Sequence, residues 1–195
     1  YMTARLILAQ SLFRNNKSNF ISELTLIVNL LDYSDTNIYT GLVKCAYKEC
    51  FNILDKIAYF LNDYLDLQIK NISYKTFWYK EEKYKKGLKE KISQHENYLL
   101  YGIYSSMLDV FEDKEYEQFR DELTHCNLSL YTELAKNKDK NNVSYDYFEG
   151  KTLELFKIIR NIVIYLINFV NSDQESKRIP DKKYLLRKAS TEQFL

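Results

Sequence analysis

Apolar residues recur at intervals of three and four along most of the chain, which is the spacing of one face of an α-helix. The pattern is clearest from about residue 38 to Leu67. A second clear segment, from Gly150 or Lys151 to Val170, is the most hydrophobic part of the chain, and we expect it to be central in the fold or partly covered by a partner. The predicted inward positions are Val43, Tyr47, Cys50, Leu54, Ile57, Leu61 and Tyr64 in the first segment and Leu153, Phe156, Ile159, Val163, Leu166, Ile167 and Val170 in the second.

Further segments carry a weaker helical pattern. Residues 3–14 and 19–31 predict one interrupted helix or two short ones, because polar residues fill the positions between them. Residues 71–84 predict a loop that leads into a helix, and residues 136–146 predict a connection. Two more helices are predicted, with Leu99, Ile103, Met107 and Val110 inward in Gln94–Val110, and with Phe119, Leu123, Cys126, Leu130 and Leu134 inward from about Glu115 to Ala135.

Composition favours one fold class. The chain has 195 residues, of which 46% are hydrophobic, so it can form one domain with a sizeable core. Four glycines and a single proline leave few turns, which argues against a many-stranded sheet. We therefore predict an all-α fold, an up-and-down bundle of four to five long helices. Its parts would be an N-terminal helical segment at 1–37, the bundle at 38–171, and a tail or short helix at 172–195.

Charge and cysteine content limit the functional classes. A net charge of +1 provides no global field that would draw the chain to nucleic acid or to an anionic membrane. The three cysteines are odd in number and lack Cys-x-x-Cys spacing, so neither a disulfide framework nor a zinc knuckle is indicated. No apolar run reaches the length of a membrane span, and we expect a cytoplasmic protein. Since the helical pattern starts directly after Tyr1, we expect a piece of a longer polypeptide.

Most catalytic signatures are missing from the sequence. The four glycines are isolated, so there is no phosphate-binding loop, and neither Gly-x-Ser-x-Gly nor His-Glu-x-x-His occurs. The two histidines, His95 and His125, supply few ligands for a metal, and we expect neither a metal nor a cofactor. We interpret His95 as a surface histidine.

One predicted helix carries Arg120, Asp121 and His125, which the apolar stripe does not need. An arginine can bind a phosphate through two hydrogen bonds, and a histidine can transfer protons near neutral pH. The pair could therefore cleave a phosphodiester, with Asp121 orienting the imidazole from one turn away. The alternative is a surface helix on which Arg120 and His125 form ion pairs with Glu117, Asp121 and Glu122.

A lysine-rich segment offers a second candidate. Between Lys75 and Lys91 there are seven lysines and three glutamates, interleaved with aromatic residues that could stack on unpaired bases. This predicts an RNA path. The alternative is a solvated surface whose aromatic residues pack on the core. The residues that we assign to the RNA path are Trp78, Lys80, Lys83, Lys85 and Lys86.

The string Arg120-Asp-Glu-Leu-Thr-His125 resembles the Arg-x4-6-His signature of the HEPN superfamily, in which asparagine, aspartate or histidine often follows the arginine. Three further segments resemble a bacterial branch of this superfamily that often follows tetratricopeptide repeats. They are Phe51–Tyr64, Ile72–Trp78 and Arg160–Leu166, and the likeness covers about residues 38–171.

The resemblance implies a homodimeric helical bundle that cleaves RNA without a metal, as in toxin, antiphage and RNA-processing systems, downstream of a repeat or sensor domain. Arg120 would hold the scissile phosphate. His125 would act as the general base on the 2′-hydroxyl or as the general acid on the leaving 5′-oxygen. The products would be a 2′,3′-cyclic phosphate and a 5′-hydroxyl. Asp55 is a weaker candidate for a supporting contact.

Helix geometry adds one constraint. Arg120 and His125 lie about 140° apart on an ideal helix, so one subunit cannot readily place both on one phosphate. A two-fold dimer could bring both residues of both chains around a shared cleft, and a forced monomer should then lose cleavage. The alternative is a non-catalytic dimerisation or interaction module that keeps the fold and couples an upstream sensor to a partner.

Overall fold

The computed structural model describes residues 1–12, 27–28, 35–81, 86–125, 128–131 and 142–178. Helices dominate these residues, which confirms the all-α prediction. The described residues form six helices, which are α1 (Met2–Ser11), α2 (Ile38–Tyr64), α3 (Glu90–Ser93), α4 (Tyr98–Glu112), α5 (Lys114–His125) and α6 (Tyr145–Arg178).

Within the described ranges, short strands pair in three places. The strands are β1 (Ile27–Val28), β2 (Asp35–Thr36), β3 (Tyr79–Glu81), β4 (Lys86–Leu88), β5 (Ser129–Tyr131) and β6 (Asn142–Ser144). The first two pairs are antiparallel, β1 with β2 and β3 with β4, whereas β5 and β6 are parallel. None of these strands was predicted, because two or three residues are too few to show a periodicity of two.

Two predicted helices were wrong in their extent. The predicted helix at 19–31 includes the β1 residues Ile27 and Val28, and the rest of it lies outside the described residues. The predicted helix from Glu115 to Ala135 ends at His125. Its predicted inward residue Leu130 is fully buried, but as the centre of β5 opposite Val143. Burial at helical spacing therefore did not require a helix there.

Helix α2 begins at a capping box. The Asn37 side chain accepts a hydrogen bond from the Thr40 backbone N–H over 2.9 Å. The Thr40 hydroxyl oxygen accepts one in return from the Asn37 backbone N–H, also over 2.9 Å. This arrangement satisfies backbone donors that the first helical turn leaves without partners. It fixes where α2 starts.

The core lies between α2, α4 and α6, with α1 packed along α2. Most positions predicted as inward in α2 and α4 are buried, which confirms those two helices. Gly102 of α4 lies so close to Tyr165 of α6 that an added Cβ would be 3.3 Å from the ring. The core residues that are fully buried include Val43, Tyr47, Leu54, Leu61, Ile103, Met107, Val110 and Ile159.

Helix α6 extends beyond both predicted ends, from Tyr145 to Arg178. Part of its predicted inward stripe is wrong, because Ile167 is 55% exposed while Ile162 and Phe169 are fully buried. Residues 172–178, at the end of α6, belong to the segment predicted as a tail or short helix. Residues 179–195 lie outside the described residues. A partner that covers the exposed side of α6 stays a prediction, as do the two predicted boundaries between the three parts of the chain.

A single residue, Asp113, separates α4 from α5. Its carboxylate accepts a hydrogen bond from the Glu115 backbone N–H over 2.9 Å and forms an ion pair with Lys151 of α6 over 3.1 Å. The start of α5 is thereby tied both to the preceding helix and to α6. None of the helices within the described ranges is long and apolar enough to cross a membrane.

Candidate active site

Helix α5 carries the Arg-x4-His string and crosses α2. The Phe119 ring packs edge-on against Tyr47, with their centroids 6.2 Å apart, and against Phe148 of α6 at 5.4 Å. The Tyr47 hydroxyl donates a hydrogen bond to the backbone carbonyl of Tyr116 over 2.8 Å. Both contacts involve the buried face of α5, so this face holds the helix against the core. The next residue, Arg120, lies at the edge of the packed surface.

Arg120 packs against two aromatic rings that also contact each other. Its guanidinium carbon is 5.4 Å from the centroid of Phe51 and 5.7 Å from that of Tyr74. The Arg120 side chain remains 35% exposed. At a site this open, each cation–π contact contributes about 0.5–1 kcal/mol. Two such contacts restrain the guanidinium without removing it from solvent.

Asp55 of α2 contacts the same arginine. Its Oδ2 lies 4.0 Å from Nη2 of Arg120, at the outer limit of an ion pair, and both side chains are about one-third exposed. Such a pair contributes at most about 1 kcal/mol, so the rings and the carboxylate have comparable weight. The other oxygen, Oδ1, accepts a hydrogen bond from the Tyr74 backbone N–H over 3.2 Å. Asp55 therefore links the arginine to the segment that supplies one of its rings.

Tyr74 is buried beside Arg120 and is 1% exposed. Burial raises the pKa of its phenol, the charge of Arg120 opposes this increase, and the charges of Asp55 and Asp121 add to it. The phenol therefore stays neutral at physiological pH. Its hydroxyl has no hydrogen-bond partner among the residues that the structure describes.

His125 is the last residue of α5 and is exposed. Asp121 is also exposed, and within the described part of the chain it makes no hydrogen bond to His125. The orienting contact expected from their spacing is not formed in this structure, and the catalytic assignment of Arg120, Asp121 and His125 stays a prediction.

Two of the three carboxylates that we considered as partners of Arg120 on its own helix bind elsewhere. Glu117 contacts Lys75, and Glu122 accepts a hydrogen bond from the Gln118 amide over 2.8 Å. The carboxylate near Arg120 is that of Asp55, from another helix. Spacing along α5 could not reveal this partner, because it depends on how α5 crosses α2.

The structure separates the residues assigned to the RNA path. Trp78 is fully buried, and its ring centroid is 4.3 Å from that of Phe77 and 5.2 Å from that of Tyr104. A base cannot stack on a ring enclosed in the core, so the assignment of Trp78 needs correction. Lys80 is exposed on β3. The Lys86 side chain and residues Lys83 and Lys85 lie outside what the structure describes.

The interpretation of His95 as a surface histidine also needs correction. Its side chain is mostly buried, its Nε2 lies 3.5 Å from Oδ1 of Asp173, and its ring packs edge-on against Phe169. The Asp173 Oδ2 accepts a hydrogen bond from the Tyr64 hydroxyl over 2.8 Å and pairs with Lys177 over 2.7 Å. This network joins the ends of α2 and α6 to the residues before α4. No local pattern predicts this network, because Asp173 is distant from His95 along the chain.

The described residues contain no group of three or more histidine, cysteine, aspartate or glutamate side chains that could hold a metal ion. What the site does contain is an arginine restrained by two rings and a carboxylate, and an exposed histidine at the end of the same helix. These groups can bind an anion and transfer a proton.

Comparison with protein-family models matches residues 1–173 to the family described as LA2681-like HEPN. No curated protein and no solved structure gives a significant match. The matched span includes the whole of α5 and confirms the resemblance to the HEPN superfamily, whereas the association with tetratricopeptide repeats stays a prediction. The chain belongs to the LA2681-like HEPN family.

Proposed function

We propose that the protein is a metal-independent endoribonuclease whose active site is completed by a second copy of the chain. The observation that supports this most is the state of Arg120, which is restrained by Phe51, Tyr74 and Asp55 and yet is about one-third exposed. A guanidinium held in this way is ready to bind a phosphate with little loss of conformational freedom. Membership of the HEPN superfamily adds to this argument.

The proposed reaction uses the RNA's own 2′-hydroxyl. A general base removes the proton from this hydroxyl, its oxygen forms a bond to phosphorus, and the bond from phosphorus to the 5′-oxygen breaks. A general acid donates a proton to the leaving oxygen. His125 would serve in one of these roles, while Arg120 would stabilise the negative charge that develops on the phosphate. The products are a 2′,3′-cyclic phosphate and a 5′-hydroxyl, and no metal takes part.

The homodimer belongs to the same proposal. Arg120 and His125 are about 140° apart around α5 if the helix is ideal, and they are separated by about 7.5 Å along its axis. Two copies related by a two-fold axis could combine the arginine of one with the histidine of the other. We propose that such a dimer acts on RNA as a toxin or antiphage effector.

The test is cleavage of a mixed pool of single-stranded RNA in EDTA. Arg120→Ala and His125→Ala should each abolish cleavage, since each removes one of the two reacting groups. Arg120→Lys should recover little, because an ammonium cannot bind a phosphate in the bidentate manner of a guanidinium. Arg160, an exposed arginine of α6, provides the control, and Arg160→Ala should cut like the wild type. Wild-type protein that leaves all RNA intact would disprove the proposal.

A second candidate function is a non-catalytic dimerisation or interaction module coupled to an upstream sensor. One observation favours it, because Phe51, Tyr74 and Asp55 already give Arg120 a structural role. Under this alternative, Arg120→Ala and His125→Ala should leave both dimerisation and the cellular phenotype unchanged. A variant that dimerises normally but loses the phenotype would favour the nuclease instead.

A further inference from the structure

Helix α2 presents one narrow stripe towards the site. Lys44, Lys48, Phe51 and Asp55 lie within about 60° of one another around an ideal helix. Phe51 and Asp55 are the α2 residues that contact Arg120. The two lysines continue the same stripe towards the start of α2, and Lys44 is half-buried while Lys48 is exposed. The stripe therefore has a cationic end and an end occupied by Arg120.

The cationic end also lies next to the segment that follows His125. The Lys44 amine donates a hydrogen bond to the backbone carbonyl of Leu128 over 2.6 Å. Leu128 comes three residues after His125. A lysine amine has three protons, so this bond leaves two for a ligand. Lys44 thus brings positive charge close to the chain that carries the proposed catalytic histidine.

In the part of the chain that the structure describes, neither lysine has an acidic partner. Within the described ranges, no carboxylate forms an ion pair with Lys44 or Lys48. Burial lowers the pKa of Lys44, and the charge of Lys48 lowers it further. Two cations that repel each other and have no counter-ion would be stabilised by an anion between them.

Two other lysines near α5 are paired with carboxylates. Lys75 contacts Glu117, and Lys151 lies within ion-pair distance of Asp113 and Glu115. The first-turn carboxylates of α5, Glu115 and Glu117, are the partners of these lysines, so neither lysine is left to attract a polyanion on that side of the helix. An RNA strand that reaches Arg120 would therefore be attracted more strongly along α2, where Lys44 and Lys48 lie.

We propose that Lys44 and Lys48 bind the backbone phosphates of the RNA strand next to the phosphate held by Arg120. This inference rests on the proposed ribonuclease function and adds to it the path of the substrate. Lys44 and Asp55 are eleven residues apart, which is about 16 Å along the helix axis and spans a few nucleotides of single strand. Phosphate contacts fix the position of the strand without reading its sequence.

The experiment measures binding with the reaction switched off. A fluorescently labelled single-stranded RNA of mixed sequence is titrated with His125→Ala protein, and anisotropy is recorded at several salt concentrations. Lys44→Gln and Lys48→Gln are each added to this background. Each should weaken binding by about three- to tenfold and reduce the slope of log affinity against log salt by about 0.7, the value for one lost contact to a single strand.

Three further variants serve as controls. Lys56 is an exposed lysine of α2 about 120° from Lys44 around the helix, and Lys56→Gln should bind like the parent. Lys80→Gln tests the lysine-rich segment as the competing path. Lys44→Arg keeps both the charge and a donor for the Leu128 carbonyl, so it should bind RNA normally even if Lys44→Gln is destabilised. Thermal melting of every variant confirms that it is folded.

The outcomes separate this inference from the nuclease proposal. It is overturned if protein with both Lys44→Gln and Lys48→Gln binds RNA as tightly as the parent, or if Lys56→Gln loses as much RNA affinity as these variants do. It is also overturned if only Lys80→Gln loses affinity, or if the protein binds no RNA. If Lys44 and Lys48 are needed for RNA binding but the wild type never cuts RNA, the nuclease proposal fails and RNA binding by these two lysines stands. If the wild type cuts RNA and the Lys44 and Lys48 variants cut it equally well, only the proposed contacts of these two lysines with RNA are excluded.

Discussion

The carboxylate of Asp173 and the imidazole of His95 lie 3.5 Å apart at the end of the bundle, where α6 passes the residues that precede α4. Burial disfavours the charged carboxylate. Hydrogen bonds from Lys177 and Tyr64 outweigh this, and together with the charges of Lys177 and His95 they hold the pKa of Asp173 below its ordinary value. The network is therefore an acid-sensitive contribution to stability.

The first prediction concerns its dependence on pH. Because the pKa of Asp173 is lower in the folded state, the unfolded chain takes up the proton first as the pH falls. The stabilisation should be complete above the ordinary carboxyl pKa of 3.8 and should disappear as the pH drops through the lower folded-state value. Asp173→Asn should lower the free energy of unfolding by about 1–3 kcal/mol at neutral pH, and the difference from the wild type should shrink in acid.

Urea unfolding from neutral pH down to about pH 3 measures this, with Glu175→Gln as the matched control. Glu175 is an exposed carboxylate two residues further along α6. A constant difference between Asp173→Asn and the wild type across this range would contradict the prediction.

The second prediction concerns Asp55 as a positioning residue for Arg120. Asp55→Asn keeps an oxygen for the Tyr74 backbone N–H but removes the charge that faces Arg120. Single-turnover cleavage should slow by about tenfold, the scale of one misplaced group, while the melting temperature changes little. Asp55→Glu should restore part of the rate. Asp63→Asn, at an exposed position of the same helix, should cut normally.

A structural role alone would give a different pattern for Asp55. The rate would then fall only as far as the folded fraction falls, and RNA binding and cleavage would decline together. If Asp55→Asn protein is fully folded but cleaves RNA more slowly, Asp55 positions Arg120. An unchanged rate would remove Asp55 from the site.

The third prediction tests whether the site is shared between two copies. Arg120→Ala and His125→Ala proteins are each expected to be inactive. If each site takes its arginine from one chain and its histidine from the other, mixing and re-annealing the two should restore about a quarter of wild-type activity, because half of the dimers carry one intact site. Activity should also decrease on dilution below the dimer dissociation constant.

The result of mixing is decisive in both directions. A mixture that stays inactive while chain exchange is demonstrated by mass spectrometry would exclude a site that takes its arginine from one chain and its histidine from the other. A wild-type protein that cuts at full specific activity as a monomer would do the same.

The fourth prediction uses Trp78, the single tryptophan of the chain. Because the ring is fully buried, its emission should be blue-shifted and resistant to acrylamide, and saturating RNA should not quench it. Trp78→Ala should lower the free energy of unfolding by about 3–5 kcal/mol, whereas Trp78→Phe should retain RNA binding. Strong quenching by RNA, together with loss of RNA binding in folded Trp78→Phe, would show that Trp78 contacts RNA.

The helices of the core could be predicted because their periodicity extends over many turns. In α2, for example, Val43, Leu54 and Leu61 repeat the spacing of one buried face, and all three are fully buried. The short pairings could not be predicted in this way. Leu130 has the spacing of a helix and the burial of a core residue, but its backbone pairs with Val143, a contact that no local pattern encodes.

The site likewise combines residues that a local sequence pattern predicts with contacts that it does not predict. Arg120 and His125 stand out in the sequence because the apolar stripe does not require them, and their family signature is local. The contacts around Arg120 come from α2 and from the segment after it, so Phe51, Tyr74 and Asp55 become neighbours only when α5 crosses α2. The assignment of Trp78 to RNA binding was wrong for a related reason, since its ring packs on Tyr104 of a helix further along the chain.

The one-residue connection at Asp113 makes the site sensitive to chain length. Adding one residue after Asp113 while keeping α5 helical would turn every later side chain by about 100° and advance it by about 1.5 Å. Arg120 would then leave Phe51 and Asp55, although no residue of the site had changed. For chains that share this architecture, the spacing between α4 and the arginine is therefore a stricter criterion for a working site than the Arg-x4-His string itself.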